Sequence, residues 1–271
     1  MAIVALHSAA TGLSALSTEI DVVSNNLANV NTTGFKRSRV NFEDLVYQQK
    51  EQPGVENADG SRNSASLQVG LGTKVSNTQY DFSVGNPVRS ELPFDVFIDG
   101  PGFFKLDIAE DRGGGFGYSR SGNFFRNNEG DLVLGNSDGP RLEPPVNVPE
   151  GVDTRTISIS ADGRVSGVIA GDNTATEFGQ VLLSNFVNPN GLQSIGGNIF
   201  IETDVSGPPI EGVPGEGTAG TLLHKFLEGS NVDPVQELIT LIKTQRAFEL
   251  NSQTIQAADQ VLQVVGNLRR F

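Results

Sequence analysis

Cysteine and tryptophan are absent from this 271-residue chain, and only two histidines, three tyrosines and one methionine are present. Without cysteine there is no disulfide and no thiolate metal site, and the two histidines alone do not assemble a zinc centre. His7 lies beside an apolar stripe and His224 sits within Leu-Leu-His-Lys-Phe. Each reads as a packing or surface residue. The shortage of Trp and Tyr offers no aromatic cleft for a sugar hydrolase, although the many carboxylates keep a paired-acid mechanism formally open. Long apolar runs are missing too: nothing approaches the roughly 20 residues of a membrane span, so no membrane insertion is expected. No Lys or Arg precedes Lys36, and Thr11, Ser14, Ser17, Thr18, Glu19 and Asp21 interrupt the early apolar residues. That is not the pattern of a cleavable secretory signal, and it predicts a cytoplasmic protein or one exported without cleavage.

What is abundant is glycine, 32 residues with no collagen-like period, which points to a turn-rich β body. The net charge is −13 and the isoelectric point about 4.5. Such an acidic surface repels phosphate backbones, so nucleic-acid binding is not expected.

Two amphipathic segments lie at the ends. Over residues 3–30, Ile3, Leu6, Ala10, Leu13, Ile20 and Leu27 recur at helical spacing, with Val23 widening the stripe. Ser17 and Ser24 fill two apolar slots and weaken it. A break is expected near Asn31 to Gly34. Over residues 234–266, Leu238, Leu241, Ile242, Gln245, Phe248, Ile255, Leu262 and Val265 form a second stripe. Ser230 or Asp233 is placed to cap that helix, with Pro234 in its first turn. Each helix is marginal alone in water, and pairing the two as a coiled pair is the simplest remedy. The polar residues in both seams leave that pair incomplete, which predicts further packing against other copies. The candidate assembly interface is therefore Ile3, Leu6, Leu13, Ile20, Val23, Leu27, Leu238, Leu241, Ile242, Phe248, Ile255, Leu262 and Val265.

Between the helices the pattern alternates, as in Phe94 to Ile98 and Thr156 to Ser160, punctuated by Asp99-Gly100, Asp138-Gly139 and Asp162-Gly163. Asn127 to Gly130 links two such runs as a hairpin. The expected fold class is α+β, with long terminal helices around a mainly antiparallel β body. The expected division is a helical domain of residues 1–34 plus 231–271, a linker of 35–90, and a β-rich outer domain of 91–230. Residues 47–66 are polar and read either as a surface loop or as an extended arm that orders on assembly.

Catalytic signatures are wanting. Gly215 to Gly220 fits GxGxxG by letter, but it follows a Pro-rich loop instead of a strand. No HExxH or EF-hand spacing occurs, and no cofactor is expected. The basic group Lys36, Arg37 and Arg39 reads either as a solvated helix end or salt-bridge partner, or as one half of an ion pair between subunits.

Ser24 to Lys36 (Ser-Asn-Asn-Leu-Ala-Asn-Val-Asn-Thr-Thr-Gly-Phe-Lys) resembles the N-terminal signature of bacterial flagellar rod and hook proteins. Val235 to Ser252 is similar to their C-terminal signature. The likeness continues through Asn41-Phe-Glu-Asp-Leu, Gly100-Pro-Gly-Phe-Phe and Leu227-Glu-Gly-Ser-Asn-Val, and covers nearly the whole chain. Phe42 to Gln48, Gln52-Pro53-Gly54 and Ile195 to Thr203 resemble the distal-rod branch in particular. Met1 to His7 and Arg269-Arg270-Phe271 look less typical. The resemblance implies a non-enzymatic structural subunit, polymerising with itself into a hollow helical drive shaft. It implies export by the flagellar type III apparatus and a place in the periplasm-spanning rod. Its implied partners are proximal rod proteins, hook protein and the surrounding ring bushing proteins. The alternatives are a proximal rod subunit of the same family or a secreted β-rich binding module.

Overall fold

A computed structural model describes residues 2–51, 66–109, 114–169 and 174–268. The chain is α+β and divides into two compact units. One comprises Met1–Ala28, Ser38–Gln79 and Asp233–Phe271, and the other Asn29–Arg37 and Tyr80–Val232.

The first unit contains α1 (Ala2–Ala28), the strands β1 (Ser38–Asp44), β2 (Tyr47–Glu51), β3 (Leu67–Gly70) and β4 (Thr73–Tyr80), and α2 (Pro234–Leu268). The two helices have 27 and 35 residues. α1 packs against α2 and against β1. Asp233 caps α2: its Oδ1 accepts from the backbone N–H of Val235 at 2.9 Å and of Gln236 at 3.3 Å. Pro234 begins the helix where a missing N–H costs nothing. β1 pairs with β4. β2 pairs antiparallel with β3, Tyr47 opposite Gly70 and Gln48 opposite Val69. Much of the expected arm, residues 52–65, lies outside the described residues.

The second unit is built from short strands: β5 (Pro87–Arg89), β6 (Val96–Asp99), β7 (Phe103–Asp107), β8 (Phe116–Ser119), β9 (Phe124–Arg126), β10 (Leu132–Leu134), β11 (Arg141–Glu143), β12 (Ser158–Ile159), β13 (Arg164–Val168), β14 (Ala175–Gln180), β15 (Leu183–Asn185), β16 (Gln193–Gly196), β17 (Ile199–Ile201), β18 (Ile210–Gly212), β19 (Thr221–His224) and β20 (Phe226–Glu228). Its largest sheet runs β16-β17-β8-β7-β11-β10-β9, with β15 and β18 joined through β7. The paired strands are antiparallel, including the hairpin in which Leu132 faces Arg126. Period-two alternation on β7 sends Phe104 and Leu106 into the main core and Phe103 to the opposite face. There Phe103, Tyr118, Phe186, Leu192 and Phe200 form a second cluster, flanked by Tyr80 and Phe82. The rings meet edge to face, Tyr118 and Phe186 at 4.7 Å and Phe82 and Phe103 at 5.4 Å.

Candidate assembly interface

On α2 one line of buried and half-buried positions follows alternating steps of four and three: Glu237, Leu241, Thr244, Phe248, Asn251, Ile255 and Ala258. Polar and small residues alternate with large apolar ones along this line. On α1, Ala9, Ala15, Val23 and Asn26 are buried. Leu6, Leu13, Ile20 and Leu27 are half-buried. Ile3 lies within α1. On α2, Leu241, Phe248 and Ile255 are half-buried. Leu238 and Ile242 remain 46% and 49% exposed, and Leu262 and Val265 are exposed as well. α2 thus turns a mixed polar seam towards α1 and leaves a more apolar stripe open.

Two contacts set the register of this antiparallel pair. Asn26 Nδ2 donates to Glu237 Oε2 at 3.2 Å and to the carbonyl of Ser38 at 2.8 Å, while Asn26 Oδ1 accepts from the Ser38 N–H at 3.0 Å. Asn26 and Glu237 are each 1% exposed. Further along, Gly12 faces Asn251, and a Cβ on Gly12 would stand 3.0 Å from Asn251 Nδ2. The glycine makes room for the amide. Thr11 fixes the turn before β4, because its Oγ1 accepts from the Thr73 N–H at 3.4 Å.

The second unit holds a polar knot of its own. Lys36 Nζ lies 2.7 Å from Glu228 Oε1 and donates to the Ser83 carbonyl at 2.6 Å. Arg120 Nε meets Glu228 Oε2 at 2.9 Å, and its remaining N–H groups donate to the carbonyls of Ile98, Gly100 and Gly102. The Gly85 N–H also donates to Glu228, at 2.8 Å. All three side chains are buried. Burial lowers the Lys36 pKa to about 8, against the pull of Glu228. Burial alone would raise Glu228, but the charges of Arg120 and Lys36 outweigh it and hold the carboxyl below its usual range.

Lys36 is therefore the salt-bridge partner among these readings, spent inside its own unit on Glu228, and neither a solvated helix end nor half of an ion pair between subunits. Arg39 instead reaches Gln79 Oε1, at 2.7 Å from Nη2. No local pattern announces this knot, because its members come from three distant segments. The same segments share backbone bonds. The Gly34 N–H donates to the Glu228 carbonyl at 2.8 Å, and the Arg37 N–H to Asn231 Oδ1 at 2.7 Å.

His224 Nε2 contacts the Pro93 carbonyl at 2.7 Å, and His7 is exposed on α1. Among the described residues, no group of three or more His, Asp or Glu side chains is placed to hold a metal ion. Among these described residues, no helix is long and apolar enough to cross a membrane.

Three family descriptions match the chain: "Flagella basal body rod protein" over residues 6–36, "Flagellar hook protein FlgE/F/G D1 domain" over 97–167, and "Flagellar basal body rod FlgEFG protein C-terminal" over 224–268. The chain is 41% identical over 266 residues to the flagellar basal-body rod protein FlgG of Borreliella burgdorferi, covering 98% of each protein. It is 39% identical to FlgG of Caulobacter vibrioides, covering 98% of this chain and 99% of that one. The flagellar hook protein FlgE of Escherichia coli is 41% identical over 117 residues, which is 43% of this chain and 29% of the hook protein. The paired end helices, the antiparallel β unit and this near full-length similarity lead to one conclusion: the chain belongs to the flagellar basal-body rod protein family.

Proposed function

We propose that the chain is a structural subunit of the distal rod, polymerising into a hollow helical shaft that carries torque from motor to hook. The observation that carries this reading is the open stripe on α2. Val235, Leu238, Ile239 and Ile242 are 61%, 46%, 40% and 49% exposed, next to a polar seam already occupied by α1. A contiguous apolar stripe left in water is a contact awaiting a partner, and in a rod family the partner is another copy. The alternating four-three spacing supports a coiled wrapping of α1 and α2, with Ile3, Leu262 and Val265 reserved for neighbours.

In this reading residues 1–34 and 231–271 form the assembly domain, 35–90 link and brace it, and 91–230 face outward. The shaft meets proximal rod proteins below, hook protein above and ring bushing proteins around it. It stands in the periplasm-spanning rod. Like its FlgG relatives, the chain acts by assembling and performs no catalysis.

Electron microscopy of the purified protein tests the proposal. Wild type is expected to form tubes, whereas Leu238→Asp with Ile242→Asp is expected to stay monomeric with unchanged helical content. Tubes formed equally by that variant would overturn the role of the stripe.

A further inference from the structure

The β unit buries two carboxylates, Glu228 and Asp95, whose surroundings are opposite. Glu228 is met by Lys36, Arg120 and the Gly85 N–H, and it stays ionised. Asp95 is 0% exposed, and among the described residues neither of its side-chain oxygens has a hydrogen-bond partner. An ionised carboxylate buried without a donor destabilises the fold that holds it. Burial accordingly pushes the Asp95 carboxyl above its ordinary range, and Ser90 and His224 oppose that only in part.

The neighbours of Asp95 are engaged elsewhere. Asn123, opposite it in an isolated bridge, turns its amide to the Gly135 carbonyl at 3.1 Å. His224, at the end of β19, is half-buried. Its Nε2 carries a proton, because the Pro93 carbonyl at 2.7 Å can only accept. Burial holds this ring below its usual range; Lys225 adds to the effect, while the Pro93 bond and Asp95 oppose it. At neutral pH His224 is therefore uncharged and gives Asp95 no counter-charge.

Strain sits at the same place. Lys225 takes a left-handed backbone at φ 63°, which a residue with a Cβ rarely adopts. It is bonded on both sides to one short segment. Its N–H donates to the Asp95 carbonyl, and its carbonyl accepts from the Ser90 N–H, each at 2.8 Å. Between those two bonds Glu91 and Leu92 are exposed. Strained backbone of this kind clusters at switch elements.

We propose that Ser90 to Asp95 is a proton-linked latch, closed on Lys225 while Asp95 or His224 holds an extra proton and released when neither does. A proton on Asp95 removes its charge, and one on His224 supplies a counter-charge. With both lost, the ionised carboxylate reaches water by lifting the segment that carries it. The latch belongs to the β unit itself and does not depend on the assembly reading.

Amide hydrogen exchange of the full-length protein, resolved by residue and corrected for intrinsic rates, provides the test. The reference is Leu132 in β10, whose N–H donates to the Val146 carbonyl. In wild type, protection of the Ser90 and Lys225 N–H groups relative to Leu132 is expected to fall about tenfold between about pH 5 and about pH 8. Asp95→Asn removes the charge at nearly constant shape. It is expected to abolish that fall and to raise protection of both groups about tenfold at the higher pH. Equal protection in the two proteins would overturn the proposal. So would a loss shared in full by Leu132, which marks global unfolding instead of a local opening. Failure of Asp95→Asn to fold would overturn it as well, because the carboxylate would then be holding the unit together. His224→Gln is expected to move the transition to lower pH, and an unmoved transition would overturn the histidine's share in the latch.

Discussion

Asn26 and Glu237 are 211 positions apart, yet their side chains meet at 3.2 Å inside the helical unit. The amide spends its other capacity on both backbone groups of Ser38, so a single buried residue joins α1, α2 and the start of β1. A buried polar pair of this kind penalises every other alignment of the helices, because any slip leaves the amide and the carboxylate without each other.

Removing this pair is expected to loosen the helical unit. Asn26→Ala leaves the Ser38 N–H and Glu237 short of a partner and is expected to cost about 1–3 kcal/mol. A double-mutant cycle with Glu237→Ala is expected to return a coupling of about 0.5–3 kcal/mol, read from urea unfolding. Additive losses would show that the two residues act separately.

Glu228→Gln strands two buried cations. Lys36 and Arg120 both direct N–H groups at this carboxylate, and neutralising it leaves their charges in a dry interior. The expected loss is about 3–5 kcal/mol in the thermal unfolding of the full chain. A variant as stable as wild type would show that water reaches the knot.

The same knot predicts a pH dependence. Lys36 has a folded pKa of about 8 against an ordinary value of 10.5, so between these values the unfolded chain binds more protons than the folded one. Stability from this residue therefore rises from pH 8 to pH 10.5. Glu228 is depressed below 4.5, so its contribution is present above that value and is lost as the pH falls through the folded pKa. Comparing unfolding free energies of wild type and Lys36→Met across the alkaline range isolates the first effect. Parallel curves would count against it.

Gly34→Ala tests the turn after α1. Gly34 has φ +69°, and a Cβ there would lie 2.8 Å from the Ser121 backbone nitrogen. Strain and clash together are expected to cost at least about 1–3 kcal/mol, lowering the melting temperature without changing helical content. An unaltered melting temperature would mean that the loop relocates freely.

The end helices were legible because their evidence is local. Val23 and Leu27 repeat at helical spacing, and Asp233-Pro234 is a start signal that any helix would use. The Asn127 to Gly130 hairpin was legible for the same reason. Which face of α2 meets α1 was not. Hydropathy favours Leu238 and Ile242, yet Glu237 and Thr244 are the buried positions and the two apolar residues stay 46% and 49% exposed. A stripe counts apolar residues, and it does not register that a glutamate finds Asn26 waiting for it.

The sequence by itself determined the α+β class, the two amphipathic ends, the exclusion of thiol chemistry and the resemblance to flagellar rod and hook proteins. Those depend on residue type and on spacings within a few turns of chain. The tertiary structure alone decided that Lys36 closes onto Glu228 and Arg120, and that Asn26 selects Glu237. Each of these joins residues separated by between 108 and 211 positions, where neither periodicity nor charge pattern specifies a partner. Burial does, because a charge or amide removed from water must find its counterpart wherever folding brings one.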